Sequence, residues 1–413
     1  MKKVLMIAYH YPPCQGGSGI ERTLRFSQYL PANGWKPIIL SPHPRVYERV
    51  DTAEGSGVPS NILVKRSFAI DAAKHLSVNG RYFKSLAIPD RWISWWFSAV
   101  PAGIKMIREH HPDVIWSTYP IPTAHLIGLT LHNLTGIPWV ADFRDPMVQE
   151  NWPGGILNTK VWNWLERMTV KKCSKAVFTT AGTLRLYEGR YPDIPKSRWV
   201  VIANGYEEDD FVGKESSANI KETTCAPLTL VHSGHMYLYE RNPNAFFSAL
   251  SDLWRKEMVS PANLKIVFRA SGNEEIYGKI VKENNLEDLV FFEPWVSHRE
   301  AVKETLNADG LLIFQGSDCN RQIPAKIYDY LRAKRPIFAM TDMQGDTARL
   351  LMEMGINTIV PLDSKEKIMQ GLTNFLKQVR EGTAPIARDE EIKKYTRKAE
   401  TLELSNLLED VTR

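Results

Sequence analysis

The sequence predicts an α/β protein of two doubly wound parallel-sheet (Rossmann-like) domains facing each other across a cleft. Three observations predict it. A chain of 413 residues is too long for one ordinary core. Short β-rich runs alternate with longer helical patterns in both halves, which is the rhythm of repeated βαβ units. A polar stretch of Ser, Thr, Asn and Lys, residues 213–227, separates the two series. The expected organisation is a first domain over 1–212, a linker over 213–227 and a second domain over 228–388. The charged helical tail, 389–413, has no following strand and so has to dock on something already built, expected to be the first domain.

In the first half, Val4–Tyr9 reads as a strand, Ile20–Leu30 as a helix and Pro37–Leu40 as a strand. After a looser stretch from Ser41 to Asn61 the alternation resumes. Asp113–Ser117 is a strand, Thr123–Thr135 a helix and Trp139–Phe143 a strand, followed by helix Lys160–Lys172 and strands Ala176–Thr179 and Trp199–Ile202. In the second half the strands are Leu228–His232, Leu264–Arg269, Leu289–Phe292, Gly310–Phe314, Pro336–Ala339 and Thr358–Val360, each followed by a helical pattern.

Composition narrows the class. With 43% hydrophobic and 24% charged residues the chain reads as soluble and globular. A net charge of +5, without a concentrated basic block, argues against nucleic acid as a partner and suits anionic small substrates or a loose association with an anionic membrane. Cys14, Cys173, Cys225 and Cys319 are scattered and form no C-x-x-C pair, so neither a zinc site nor a disulfide framework is expected. Met1-Lys2-Lys3 runs straight into a strand, so no secretion signal is expected and a cytoplasmic place fits. A peripheral position on the inner face of the cell membrane is the second expectation. It rests on Arg91-Trp92-Ile93-Ser94-Trp95-Trp96-Phe97, which reads either as an interfacial segment or as core. The longest apolar run, Trp92 to Ile104, is interrupted by Ser94, Ser98 and Pro101.

In open α/β sheets, ligands sit beyond the carboxyl ends of strands, where helix N-termini favour anions. After the first strand, Gly16 and Gly17 let backbone N–H groups approach a phosphate closely. The loop is no dinucleotide fingerprint, since Arg22 stands where the third glycine of G-x-G-x-x-G belongs. There is no P-loop and no D-x-D pair, so no metal site is expected and charge on a leaving diphosphate has to be met by Arg, Lys and helix dipoles. Asp142, Arg144 and Asp145 end a buried strand, and either face a polar cleft or form an internal pair of Arg144 with Asp145 or Asp142. In the second half Gly234 follows a strand, and Arg241 precedes a helix in a manner that suits a diphosphate. His232 and His235 have the spacing of some metal pairs but no third ligand nearby. Pro324 starts a helix whose first turn holds Lys326, where a bound anion would offset the unfavourable dipole; Asp329, one turn on, suits a ribose. A solvated Lys and Asp pair has the same spacing.

With these residues the sequence resembles the family-four retaining glycosyltransferases of the GT-B fold, and more closely a bacterial subgroup associated with surface polysaccharides. The resemblance is carried in order by Tyr11-Pro12-Pro13 with Gly16-Gly17, by Asp113 to Thr118, and by Thr135 to Pro146. It continues through Val201 to Phe211, Ser233-Gly234, and Ile323 to Leu331. It implies a donor nucleotide bound mainly by the second domain, with Arg241 and Lys326 at the diphosphate in the catalytic role and Asp329 at the ribose. It also implies that Gly16 and Gly17 face donor phosphates and acceptor from the first domain. Four positions depart from the family pattern. Arg321 stands where the first glutamate of E-x7-E would be and Asp329 where the second would be. Lys334 occupies a left-handed position usually held by glycine. Arg144 replaces a histidine on the acceptor side.

The function this predicts is metal-independent transfer of a hexosyl-type group from a nucleotide diphosphate sugar to a glycan or lipid-linked glycan, with retention, in surface polysaccharide synthesis. No cofactor is expected beyond that co-substrate. Two other readings stay open from sequence: a sugar-nucleotide epimerase on the same double fold, and a catalytically silent glycan- or nucleotide-binding protein, for which Arg321 and Arg144 speak.

Overall fold

The computed structural model describes residues 1–16, 18–50, 57–77, 83–149, 155–212, 226–238 and 240–413. Gly17 and most of the expected linker, residues 213–225, lie outside the described residues. The chain forms two compact units, Met1–Asn204 with Arg397–Arg413, and Gly205–Thr396.

The first unit is built from β1 (Lys2–Ile7), α1 (Ser18–Tyr29), β2 (Trp35–Pro42), β3 (Leu63–Ser67), α2 (Ala72–His75) and α3 (Ser94–His110). It continues with β4 (Val114–Thr118), α4 (Pro122–Thr135), β5 (Trp139–Arg144), α5 (Ile156–Lys172), β6 (Lys175–Phe178), α6 (Ala181–Arg190) and β7 (Trp199–Val201). All seven strands are parallel, in the order β3-β2-β1-β4-β5-β6-β7. Alternation along β1 explains the two layers of helices. Leu5 and Ile7 enter one core with Trp95, Ala99 and Ile127. Val4 and Met6 enter the opposite core with Phe26, Leu404 and Leu408.

The second unit contains β8 (Leu228–Ser233), α7 (Asn244–Arg255), β9 (Leu264–Arg269), α8 (Glu274–Glu283), β10 (Val290–Glu293), α9 (His298–Asn307) and β11 (Gly310–Phe314). Then come α10 (Lys326–Ala333), β12 (Ile337–Met340), α11 (Asp346–Glu353), β13 (Ile359–Val360), α12 (Lys365–Glu381) and α13 (Asp389–Ile392). Its sheet is also parallel, in the order β10-β9-β8-β11-β12-β13. The strand order turns back between β1 and β4 in one sheet and between β8 and β11 in the other. Such switch points open a crevice at the carboxyl ends, so they locate where each unit can take a ligand.

The expected tail divides: α13 stays with the second unit, and only α14 (Arg397–Val411) lies against α1 in the first unit. Lys2 donates to Glu409 at 2.6 Å, Lys175 pairs with Asp410 at 2.7 Å, and Leu404 and Leu408 complete the apolar contact. Residues 205–212, read from sequence as part of the first domain, pack with the second unit. The Tyr206 N–H donates to Tyr395 O at 3.0 Å, and Glu208 accepts from Arg332 on α10. Helices α2 and α6 escape the sequence reading, as do β3 and α3. Strand β3 is an edge strand carrying Lys65 and Arg66. Helix α3 runs through Ser94, Ser98 and Pro101, because Ser94 Oγ is satisfied by Ile70 O at 2.9 Å while Trp95, Ala99, Gly103 and Met106 form one buried stripe.

Candidate functional site

In the second unit the site is assembled at the end of β8. His232 is 1% exposed on that strand, flanked by the rings of Phe314 and Phe268. Its Nδ1 lies 2.9 Å from Leu312 O of the neighbouring β11, and its Nε2 lies 3.1 Å from Lys326 Nζ. Burial first, and then the Lys326 charge, hold the imidazole well below its usual pKa, so it is neutral. Gly234 follows with φ 104°, a conformation that favours glycine. A Cβ there would come within 3.0 Å of Lys326 Nζ, so the missing side chain gives the ammonium its place.

Lys326 is the first residue of α10, whose N-cap Ala325 offers no side-chain cap. Burial and then the Arg241 charge hold it well below the ordinary lysine range. Arg241 donates from Nη1 to His235 O at 3.0 Å, lies over the Tyr237 ring at 5.3 Å, and keeps a buried Nε without a hydrogen-bond partner among the described residues. Neither cation forms an ion pair with a described carboxylate. Tyr330, one turn beyond Lys326, accepts the Ser233 N–H at 2.8 Å and so pins α10 to the end of β8. Asp329 is half-buried on the same helix, and its charge adds to burial in pushing the Tyr330 hydroxyl up.

Arg321 is exposed on the loop entering α10. That loop is braced from below by Gln315, 1% exposed, which donates to Cys319 O at 2.7 Å and to Gln322 O at 2.8 Å and accepts from Thr347 at 2.7 Å. The structure thus brings together Gly234, Arg241 and Lys326, with Asp329 next along the helix and Arg321 outside the buried group. Lys334 ends α10 at φ 52°, the left-handed value read for it.

In the first unit the corresponding place is the end of β1 and β5. Arg144, 7% exposed with φ 58°, donates from Nη1 to Tyr119 O at 3.2 Å. A Cβ on Gly19 would lie 2.5 Å from that same nitrogen, so α1 can begin only where Gly19 leaves room for the guanidinium. His10, at the end of β1, is pushed down to about 4 by burial and by the Arg144 charge. Asp145 is half-buried beside this cation and opposes the effect of burial on it. Gly16 has φ 87° and open space around it; Gly17 lies outside the described residues.

Asp142 has a different place. Fully buried, it accepts from Arg22 at 2.9 and 3.3 Å and from Thr118 at 3.3 Å, while Arg22 also donates to Ala203 O and Ile202 O. Its carboxylate is committed to a structural ion pair with Arg22 rather than with Arg144. The residues that sequence reasoning missed are His10, Gly19, Arg22, Tyr119, His232, Gln315 and Tyr330. His232 carried the one visible signal, a histidine inside an apolar strand. Among the described residues no group of three His, Cys, Asp or Glu side chains could hold a metal ion.

The aromatic run 92–97 divides between two environments. Trp95 is fully buried, Trp92 and Trp96 pack partly into the core, and Phe97 is 70% exposed. Phe83 and Ile156 are also largely exposed on this unit. No helix among the described residues is long and apolar enough to cross a membrane.

Residues 18–205 match the family described as Glycosyl transferase 4-like domain. No curated protein matches the chain. Among solved structures, the chain is similar over 99% of both chains to a sucrose-phosphate synthase from Thermosynechococcus elongatus, at 12% identity and a TM-score of 0.68. It is similar, at 13% identity and a TM-score of 0.60 over 99% of both chains, to the lipopolysaccharide outer core galactosyltransferase WaaB. A third similarity, at 12% identity and a TM-score of 0.59, covers 100% of this chain and 97% of Anabaena HepE in complex with UDP-glucose.

Proposed function

We propose that this chain, whose residues 18–205 match a glycosyl transferase 4-like domain and whose fold is that of the GT-B glycosyltransferases it resembles, transfers a hexosyl group from a nucleotide diphosphate sugar to a glycan or lipid-linked glycan, with retention and without a metal. The observation that carries this reading is the cation pair at the end of β8. Lys326 and Arg241 crowd one another without a carboxylate partner among the described residues, at a switch point and a helix N-terminus. A diphosphate supplies the charge that such a pair lacks, and HepE, a protein of the same fold, binds UDP-glucose.

In the proposed reaction the bond from the sugar's anomeric carbon to the diphosphate breaks while a bond to the acceptor oxygen forms on the same face. The departing phosphate oxygen takes the acceptor proton, so no protein base is needed. Lys326 and Arg241 act as the catalytic residues by stabilising the charge that grows on that oxygen. Gly234 gives them their close approach, Asp329 takes the ribose hydroxyls, and Arg321 completes the donor contacts of this unit. Arg144 and Asp145 serve the acceptor side, joined by the neutral His10, whereas Asp142 supports Arg22. The role of WaaB in lipopolysaccharide supports surface polysaccharide as the product class, and exposed Phe97 and Phe83 suit a peripheral membrane position on the cytoplasmic face.

The test is incubation with a panel of radiolabelled nucleotide sugars, in EDTA, with and without lipid-linked glycans. Transfer or slow hydrolysis of one donor is the expected result. Formation of a new sugar nucleotide would show an epimerase, and binding without turnover a silent binding protein.

A further inference from the structure

The cation pair poses a problem of placement. A lysine at a helix N-terminus is opposed by the dipole, and an ammonium withdrawn from water needs an acceptor. Left alone, the flexible Lys326 stem would turn its charge outward to solvent. It does not, and the reason lies on β8. His232 Nδ1 faces the carbonyl of Leu312 at 2.9 Å, and a carbonyl only accepts, so the imidazole proton is on Nδ1. Nε2 then carries a lone pair, directed at Lys326 Nζ 3.1 Å away.

We infer that His232 is a positioning residue for the donor site: held in its Nδ1–H tautomer by Leu312, it fixes the Lys326 ammonium over Gly234 through its Nε2 lone pair. The inference rests on the donor-site reading and deepens it. His232 is too buried to touch a diphosphate itself, so it acts through Lys326. Phe268 and Phe314 close around the ring and prevent it from turning away. The burial that keeps the imidazole neutral also keeps the lone pair available, since a protonated ring would present a second donor to the lysine. Gly234 leaves room for this arrangement, since a Cβ there would sit 3.0 Å from Nζ and push the ammonium aside by a few tenths of an ångström.

Calorimetric titration of the full chain with inorganic pyrophosphate tests the inference. His232→Phe keeps a buried ring but removes the lone pair, and is expected to weaken binding about tenfold. His232→Gln, whose amide oxygen reaches the former Nε2 position, is expected to restore most of that loss. Because His232 acts through Lys326, H232F adds nothing to K326M in the double variant. Should H232F not fold, H232N, which keeps the Leu312 contact but offers nothing at Nε2, takes its place. Unchanged pyrophosphate binding in H232F, or losses that multiply in the double variant, overturns the inference and leaves the donor site standing when K326M is itself weakened. A parent protein that does not bind pyrophosphate overturns both.

Discussion

Lys326→Met separates function from stability with opposite signs. In the ligand-free fold Lys326 is a liability, since burial and the neighbouring Arg241 both disfavour its charge. Methionine keeps most of the apolar stem and removes the charge. Each unit by which a pKa is depressed corresponds to about 1.4 kcal/mol, so a gain in stability on the order of 1 kcal/mol or more is expected. Against pyrophosphate, the variant loses a charge-assisted contact of about 2 kcal/mol, a fall in affinity of about 30-fold. The pH dependence follows from the same shift. Between the depressed folded value and the ordinary lysine value near about 10.4, the unfolded chain binds more protons than the folded one. Stability of the parent therefore rises with pH across that window through Lys326, and K326M lacks this rise. Urea unfolding at neutral and alkaline pH, beside calorimetry, measures both quantities. A variant less stable than the parent by more than about 1 kcal/mol that still binds pyrophosphate normally would refute the reasoning.

Other variants test the first unit. Asp142→Asn leaves Arg22 buried without its counter-charge and is expected to cost about 3 to 5 kcal/mol in urea unfolding; a loss below about 1 kcal/mol would mean the pair is replaceable by water. Burial pushes fully buried His125 down to about 3, so the unfolded chain takes up a proton first and stability falls as pH drops below about 6.5. This single group contributes roughly 2 kcal/mol of that fall at pH 5, and His125→Phe should flatten the dependence of the unfolding free energy on pH between 7 and 5 by that amount in urea unfolding; an identical slope contradicts it. Phe97→Glu, on the exposed face of α3, should lower flotation with anionic liposomes several-fold without changing Tm, and equal flotation would remove this face from any membrane contact.

The sheets were legible because strands covered on both faces read as apolar runs, as Val114-Ile115-Trp116 and Gly310–Phe314 do. Edge strand β3, with Leu63 and Lys65 exposed, lacks that signal. Local geometry was legible too: Lys326 in a first turn and Lys334 at a left-handed φ depend only on neighbours in the chain. Pairing was not. Arg22 looked like a broken glycine fingerprint, yet it neutralises Asp142, 120 residues away, and so leaves Arg144 to turn toward Tyr119 and Gly19. His232 looked like half of a weak metal pair, whereas its partner Lys326 lies 94 residues on. In both cases the location was readable, since the residues belong to the neighbourhood of β1 and β8 where strand order reverses. What decides their chemistry is the side chain that a parallel crossover delivers from elsewhere. A charged residue near a switch point is therefore a binding candidate only once its internal partner is known: Asp142 has one in Arg22, whereas Lys326 has no carboxylate partner among the described residues, which is why Lys326 and not Asp142 is the candidate for holding a diphosphate.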